Sequence, residues 1–452
     1  MRRASVGVLL RAGYVLVVLF ATVDTLQPAD LYTLQSRAVR ALSVDITARD
    51  VIDAARNVLL FAGWGLVWVF TAARGVPVRG LVVEAAGTGL VLSGAVEITQ
   101  LFSRIRTPSV LDVMTNTAGA ACGAFVTFLL VRWLAAQRRG RTVLGVPAAI
   151  FALGYGAAAF AEALAPLFRQ HRMSDAWGPP LGRLRLALER VDPALLDFAA
   201  LDLLLFVPAG VFVVLWLVEA GLRPAGAAAG AALFGGAVMA GAEITRGLVG
   251  YSIAYGPAFA HGLGFALGAA ATALLLRGPP DHALGTPGAA RRTPGRPPGQ
   301  ASGVRRPRPS LAHAPSLLPI PTAVTFAAYG VLLTLWMWRP FVPVGSVAEI
   351  MATFDPRNLI PLATYRDRTD LFTVADAAIS CLLFLPVGAL LATRPLGRDG
   401  LARGLRPGVL LVLGIELGQL FIADRWPDVT DILIQTAGLA IGVALIRRAA
   451  PG

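Results

Sequence analysis

Long apolar segments follow one another along nearly the whole chain, and they constrain its fold more than any other feature. Each consists almost entirely of Ala, Leu, Val, Phe and Gly, and a helix of about 20 such residues crosses roughly 30 Å of hydrocarbon. The chain is 56% hydrophobic and only 15% charged, which excludes an ordinary soluble domain of this length. The segments therefore predict an all-α polytopic membrane protein.

The apolar segments predict about twelve transmembrane helices in three groups of four. The first group lies at 6–24, 52–72, 79–101 and 111–132. The second lies at 145–166, 196–219, 225–247 and 257–276. The third lies at 320–338, 372–393, 407–423 and 431–446.

Arginine distribution predicts the orientation in the membrane. Arginines cluster in the short loops on one side, for example at Arg74, Arg79 and Arg139, whereas the opposite loops carry mixed charge. Positive loops face the cytoplasm, so we expect a multi-pass protein of the cell (inner) membrane with both termini cytoplasmic. The same clustering explains the net charge of +13, and nucleic acid is therefore not an expected partner.

A repeat of four apolar segments divides the chain into tandem units. The predicted boundaries are 1–142 for the first unit, 143–277 for the second and 319–452 for the third. Residues 278–318 are rich in Pro, Gly, Arg and Ser and predict a disordered cytoplasmic linker. Its arginines either form part of a plain tether or lie along anionic lipid head groups.

One polar motif occurs in both the first and third units. EITQLFSRIRTPSVLDVMTNTAGAACG begins at Glu97, and ELGQLFIADRWPDVTDILIQTAGLAIG begins at Glu416. Polar side chains at corresponding positions are our candidate ligand-binding residues. They are Glu97, Gln100, Arg106, Asp112 and Asn116, with Glu416, Gln419, Arg425, Asp431 and Gln435. Preceding helices add Asp53, Asn57, Asp376 and Ser380 at the same expected depth.

The motif spacing favours a polar site at the outer rim of each unit. Glu97 and Gln100 share a helical face, and Arg106 follows across the turn. Ionisable groups this close to a membrane interior are costly and are often functional. The spacing predicts a Glu–Arg pair that binds a polar ligand or moves a proton. The alternative is that the pair only locks the turn between the two helices in place.

The residues after the turn also have structural interpretations. Ser109 and Asp112 have the spacing of a capping box, and Asp428 and Asp431 likewise predict a helix start. The amide residue that follows, Asn116 in the first copy, must find hydrogen-bond partners at membrane depth, and bonding between helices would supply them.

Small residues predict where helices approach each other closely. The G-x-x-x-G pairs begin at Gly119, Gly264 and Gly438, and this spacing favours tight packing of membrane helices. We assign these glycines to packing, which places the fourth helix of each unit at the centre of its bundle.

The second unit departs from the motif and is interpreted as a degenerate, structural copy. Glu243 remains, but Arg246 replaces the glutamine, and Pro257 and His261 replace the aspartate and the amide residue. No second ligand stands at usable spacing from His261, so we expect no metal site. The sequence has no dinucleotide fingerprint, P-loop or zinc signature, and no cofactor is expected.

These motifs together resemble the VanZ-like family. The resemblance rests first on E-x-x-Q followed by Arg, Asp, an amide residue and G-x-x-x-G. It rests also on SCLLFLPVG from Ser380 and on the N-x-x-P segment from Asn358. Residues 6–135 and 320–448 match well, and 145–277 match weakly. The resemblance implies two clear units and one degenerate unit, and a role in the cell envelope or in the response to glycopeptide-type antibiotics.

Three functions remain open at this point. The first is non-enzymatic binding of the polar head of a membrane lipid, a lipid-linked envelope precursor or an amphiphile. The second is a hydrolase or transferase acting on such a substrate, with Glu416 or Glu97 as general base and an arginine stabilising an anion. The third is a transporter, although transporters usually place their charges near the midplane.

Overall fold

A computed structural model gives the fold of most of the segments predicted to be helical. It describes residues 2–22, 30–42, 48–73, 75–103, 108–137, 142–169, 200–249, 255–276, 320–339, 341–346, 348, 350–351, 355–363, 371–393, 400–423 and 425–450. Arg106, the side chain of Asp53 and the predicted linker 278–318 lie outside this description.

The fold is all-α, as predicted, and a helix covers each of the predicted apolar segments. The helices of the first group are α1 (Arg2–Thr22), α2 (Leu31–Leu42), α3 (Ala48–Thr71), α4 (Val78–Gln100) and α5 (Val110–Gln137). Next come α6 (Ala148–Phe151), which continues through a π-helical turn (Ala152–Gly156) into α7 (Ala157–Arg169), then α8 (Ala200–Glu219), α9 (Pro224–Val249) and α10 (Tyr255–Leu275). The last are α11 (Thr322–Met337), the 3-10 turn Pro356–Leu359, α12 (Leu371–Ala392), α13 (Gly400–Gln419) and α14 (Val429–Ala449).

Length and apolarity identify the strongest membrane-spanning candidates. In the described part of the chain, 5 helices are long and apolar enough to cross a membrane: α4, α5, α9, α10 and α14. Shorter apolar helices occur within α1, α3, α6 to α7, α8, α11 and α12. The protein is therefore a multi-pass membrane protein, while the number of twelve spans stays a prediction.

The amphipathic helix α2 lies where the sequence predicted only a loop. Its residues Leu34, Arg37 and Ala41 are half-buried and share one face because they are three and four residues apart. Arg37 donates from Nη1 to the carbonyl oxygen of Leu101 at 2.7 Å, and also to that of Ser103. These bonds attach α2 to the end of α4.

The chain forms two compact bodies that do not coincide with the predicted units. The larger body contains residues 1–141, 153–177 and 322–452, and the smaller one contains 142–152 and 178–321. Within the larger body α7 packs on α12, and in the π-helical turn just before α7 a Cβ added to Gly154 would lie 2.6 Å from Pro386. Both copies of the polar motif thus belong to one body, while the division into three units remains an interpretation of the sequence.

In the larger body, the second and fourth helices of each motif-bearing repeat pack with their backbones in contact. A Cβ added to Gly123 would lie 2.1 Å from the carbonyl oxygen of Ala62, and one added to Gly442 would lie 2.0 Å from that of Leu385. Gly119 and Gly438 make the same kind of approach one turn earlier. The predicted packing role of these glycines is confirmed, since no other residue fits such a distance.

A tyrosine fixes the first helix of each of these repeats to the second. Tyr14 of α1 donates its hydroxyl to the carbonyl oxygen of Leu60, and Tyr329 of α11 donates to that of Leu383 at 2.8 Å. Leu60 and Leu383 each lie three residues after the aligned polar positions of α3 and α12. The repeat is therefore present in three-dimensional contacts as well as in the sequence.

The smaller body contains the same glycine contacts. A Cβ added to Gly264 of α10 would lie 2.1 Å from the carbonyl oxygen of Leu203, and one added to Gly268 would lie 2.0 Å from that of Val207. At the other end of α8, Glu219 accepts the backbone N–H of Ala148 at 2.8 Å, which caps the start of α6. The helix pair α8 and α10 thus packs in the same way as α3 and α5.

Candidate functional site

The two motif glutamates cap the helix that follows each of them. Glu97 Oε2 accepts the backbone N–H of Ser109 at 2.8 Å, and Glu416 Oε2 accepts that of Asp428 at 3.4 Å. Ser109 and Asp428 immediately precede α5 and α14, and a helix N-terminus favours a nearby carboxylate. These bonds tie α4 to α5 and α13 to α14, in agreement with the alternative that the motif locks the turn.

Asp428 completes the start of α14 in the third repeat. Its Oδ1 accepts the backbone N–H of Thr430 at 2.7 Å, as predicted for a helix-capping residue. Thr430 is itself fully buried, and its hydroxyl oxygen accepts the N–H of Leu362 at 2.9 Å. The loop that contains the N-x-x-P segment thereby docks on the start of α14.

The aligned amide residues form hydrogen bonds with different partners in the two repeats. Gln435 donates from Nε2 to Oε1 of the fully buried Glu416, whereas Asn116 donates from Nδ2 to Ser93 Oγ at 2.8 Å. Asparagine is one methylene shorter, and Val412 stands where the first repeat has Ser93. The prediction of bonding between helices is confirmed for both amides.

The carbonyl oxygens of both amides lack a hydrogen-bond partner. Asn116 Oδ1 and Gln435 Oε1 are buried and unpaired among the described residues. A buried polar atom without a partner carries a free-energy cost of about 1–3 kcal/mol. Each repeat thus holds one unused acceptor beside its turn.

The motif glutamines are also buried at the ends of α4 and α13. Gln100 donates from Nε2 to the carbonyl oxygen of Thr22, the last residue of α1, at 3.0 Å. Gln419 is 3% exposed, and beside it Trp338 donates to the carbonyl oxygen of Ile415 at 3.0 Å. The end of the first helix is thereby joined to the end of the third in both repeats.

Arg425 does not pair with Glu416, contrary to the prediction. Its Nε donates to the carbonyl oxygen of Arg339 at 2.6 Å, because the chain after α11 runs beside the turn that follows α13, where Val344 N–H bonds to Phe421 O at 3.0 Å. Glu416 instead uses Gln435 and the N–H of Asp428. The corresponding Arg106 lies outside the described residues.

A charged cluster surrounds Arg425 at this end of the helices. Burial and then the charge of Arg339 lower the pKa of Arg425, while Asp376, Glu162 and Asp431 act in the opposite direction. Arg339 Nη2 lies 3.7 Å from Glu162 Oε1. We call these five residues the rim cluster.

Two members of the rim cluster were missed by the sequence analysis. Glu162 belongs to α7, which the repeat pattern assigns to the second unit, and Arg339 follows α11 without a counterpart in the aligned motif. No periodicity links either residue to Arg425. The only sequence evidence for Glu162 and Arg339 was that each is an ionisable residue at the end of an apolar segment.

The remaining candidate residues lie near the same helix ends. Asp376 is exposed in α12, and Ser380 is buried one turn further along. Asn57 is half-buried in α3, and Asp112 is half-buried in the first turn of α5. In the described residues, no group of three or more His, Cys, Asp or Glu is arranged to hold a metal ion.

Comparison with known proteins identifies the family. A family model described as VanZ/LLP1 matches residues 9–132 and 326–450. No curated protein and no solved structure matches the chain significantly. The two matched segments together cover more than half of the chain, and they are the two repeats that share the glutamate caps, the tyrosine bonds and the glycine contacts. This protein therefore belongs to the VanZ/LLP1 family.

Proposed function

We propose that this VanZ/LLP1 protein binds the polar head group of a membrane lipid, a lipid-linked envelope precursor or an amphiphile at the rim cluster of its third repeat. We further propose twelve spans in the bacterial inner membrane, with cytoplasmic termini and the rim cluster on the extracytoplasmic side. In this proposal the middle segment is a divergent, structural repeat.

The observation that carries the proposal is the arrangement of Arg339 and Arg425. Arg425 uses Nε for its bond to the Arg339 carbonyl, and its two Nη groups have no hydrogen-bond partner among the described residues. Each guanidinium carries a planar fork of N–H donors suited to phosphate or carboxylate oxygens, and the charge of Arg339 acts directly on Arg425. The carboxylates of Asp376 and Asp431 add acceptors for hydroxyl or ammonium groups of the same head group.

We also propose a role in the response to glycopeptide-type antibiotics and in antibiotic resistance, which the family resemblance implies. A protein that holds a lipid-linked precursor or an amphiphilic antibiotic at the outer surface alters how much of either remains available. Such a function needs binding but no reaction, which agrees with the use of both motif glutamates in capping.

Binding measurements on the purified full-length protein test the proposal. We would titrate a lipid-linked peptidoglycan precursor and, in a separate arm, a lipoglycopeptide into detergent-solubilised wild type, Arg425→Gln and Arg339→Gln. Loss of one charged hydrogen bond of about 1.5–3 kcal/mol corresponds to a roughly 10–100-fold weaker affinity. Arg357→Gln is the matched control, because Arg357 pairs with Asp355 at 2.9 Å and is exposed. Equal affinity in all variants contradicts the proposal.

The enzymatic alternative requires Glu416 as general base and Arg425 close to it. The two side chains bond to other partners instead. Turnover of a labelled envelope lipid by purified protein, lost in Glu416→Gln, would establish it. The transporter alternative requires charges along a passage near the membrane centre, whereas the rim cluster lies at helix ends.

A further inference from the structure

We propose that Arg11, Trp68 and Glu84 form a second binding site, which takes the zwitterionic head group of an aminophospholipid. The site lies in the first repeat, at the end of the bundle where α3 finishes and α4 begins. This is the end opposite to the motif turns, so the site is separate from the rim cluster.

An indole ring separates a cation from an anion in this site. The Arg11 guanidinium carbon lies 3.8 Å above the centre of the Trp68 ring, and Arg11 Nε donates to Thr71 Oγ1 at 2.8 Å. On the ring edge, Trp68 Nε1 donates to Glu84 Oε2 at 3.1 Å. In the described part of the chain no direct ion pair joins Arg11 and Glu84, so both charges keep unused hydrogen-bonding capacity.

The site has the position expected for contact with lipid head groups. Thr71 is the last residue of α3, and Glu84 lies within two turns of the start of α4 at Val78. Tryptophan is enriched at membrane interfaces, and long cationic side chains extend toward them. Glu84 is exposed, and Arg11 and Trp68 are half-buried, so an approaching head group reaches all three.

A second row of contacts holds the ring of Trp68 in place. Trp64, one turn earlier, donates from Nε1 to Thr88 Oγ1 at 3.0 Å and lies 5.7 Å from Trp68 between ring centres. Tyr14 also packs against Trp64, with 6.2 Å between the ring centres. The rings therefore form a fixed wall, which lowers the entropy cost of ordering the site upon binding.

The separated charges specify the ligand class. The Nη groups of Arg11 have no hydrogen-bond partner among the described residues and match a phosphate. Glu84 Oε1 matches a primary ammonium, which is a hydrogen-bond donor. A glycerol head group supplies no cation for Glu84, and a choline group supplies no N–H. The third repeat lacks the site, since Phe326, Leu391 and Arg403 stand at the aligned positions.

Native mass spectrometry of the detergent-purified full-length protein tests this inference. Phosphatidylethanolamine, phosphatidylglycerol and phosphatidylcholine with the same acyl chains are added at equal concentration, and the bound fraction of each is measured. We expect the wild type to retain phosphatidylethanolamine about five-fold or more over the other two lipids, equivalent to about 1 kcal/mol. Glu84→Gln should abolish this preference and raise phosphatidylglycerol binding, whereas Glu84→Asp should keep part of it.

The matched control is Arg132→Gln. Arg132 also lies over an aromatic ring, that of Phe128 at 5.8 Å, but it lacks an indole-bound carboxylate. This variant should keep the wild-type lipid preference. Equal retention of the three lipids by the wild type overturns the inference. So does a Glu84→Gln variant that loses all lipids equally, because that result indicates a structural role only.

Discussion

Gln435 donates its side-chain amide to the carboxylate of Glu416, a fully buried residue on the preceding helix. The other bond to this carboxylate comes from Asp428 N–H at 3.4 Å. Asn116, the aligned residue of the first repeat, donates to Ser93 instead. The aligned amide residues of the two motif copies therefore bond to different partners.

Gln435→Leu should destabilise the protein more than Asn116→Leu does. The first change leaves a buried carboxylate with one long bond, at an expected cost of about 1–3 kcal/mol. Both changes remove an unpaired carbonyl oxygen, but the second breaks only a bond between neutral groups, so its expected cost is below about 1 kcal/mol. Melting temperatures in mild detergent measure both effects. Equal shifts would show that the Glu416–Gln435 bond contributes nothing beyond ordinary packing.

Gly442→Ala should lower the melting temperature sharply, whereas Gly414→Ala should not. An added Cβ at Gly442 would lie 2.0 Å from the carbonyl oxygen of Leu385, while one at Gly414 meets nothing within 4 Å. Overpacking costs about 1–3 kcal/mol or more, and an unhindered alanine in a helix gains up to about 1 kcal/mol. Similar behaviour of the two variants would contradict the close packing of α12 on α14.

Tyr14→Phe and Tyr329→Phe should destabilise the protein by similar amounts. Each removes one hydroxyl bond from the first helix of a repeat to a carbonyl oxygen of the second, at an expected cost of about 1 kcal/mol. The double variant should show the sum, since the two sites share no partner. Thermal unfolding of the single and double variants checks this. A neutral effect at one site only would mean that the repeats are not equivalent there.

Arg448→Ala should loosen the end of α3. Arg448 Nη2 donates to the carbonyl oxygens of Val69 and Ala72, each at 2.6 Å, and a cation at a helix C-terminus is favourable. Its loss should cost about 1–3 kcal/mol and should raise hydrogen exchange in residues 69–73. Arg447→Ala is the control, because Arg447 is exposed. Unchanged exchange in the Arg448 variant would show that this contact does not hold the two repeats together.

The sequence predicted the parts of the site that depend on neighbouring residues. The S-x-x-D spacing of Ser109 and Asp112 and the D-x-x-D spacing of Asp428 and Asp431 correctly predicted two helix starts, since capping is a local property of the chain. Glycine spacing correctly predicted the close helix contacts. Helix α2 was missed because it is short and its charged residues interrupt the apolar pattern that indicates membrane spans. Its attachment to the end of α4 through Arg37 is visible only in the tertiary structure.

By itself, the sequence determined the all-α class, the membrane-spanning character, the repeat and the family of the protein. It could do so because the length of apolar segments and the spacing of motifs are local properties of the chain. Only the tertiary structure decided which partners the charged side chains take. Arg425 bonds to Arg339 and lies close to Glu162 of α7, and these contacts join segments far apart in sequence. Gln435 and Asn116 bond to different partners because glutamine is one methylene longer and because Val412 replaces Ser93. The packing distances that decide such a difference are not encoded in the periodicity of the sequence.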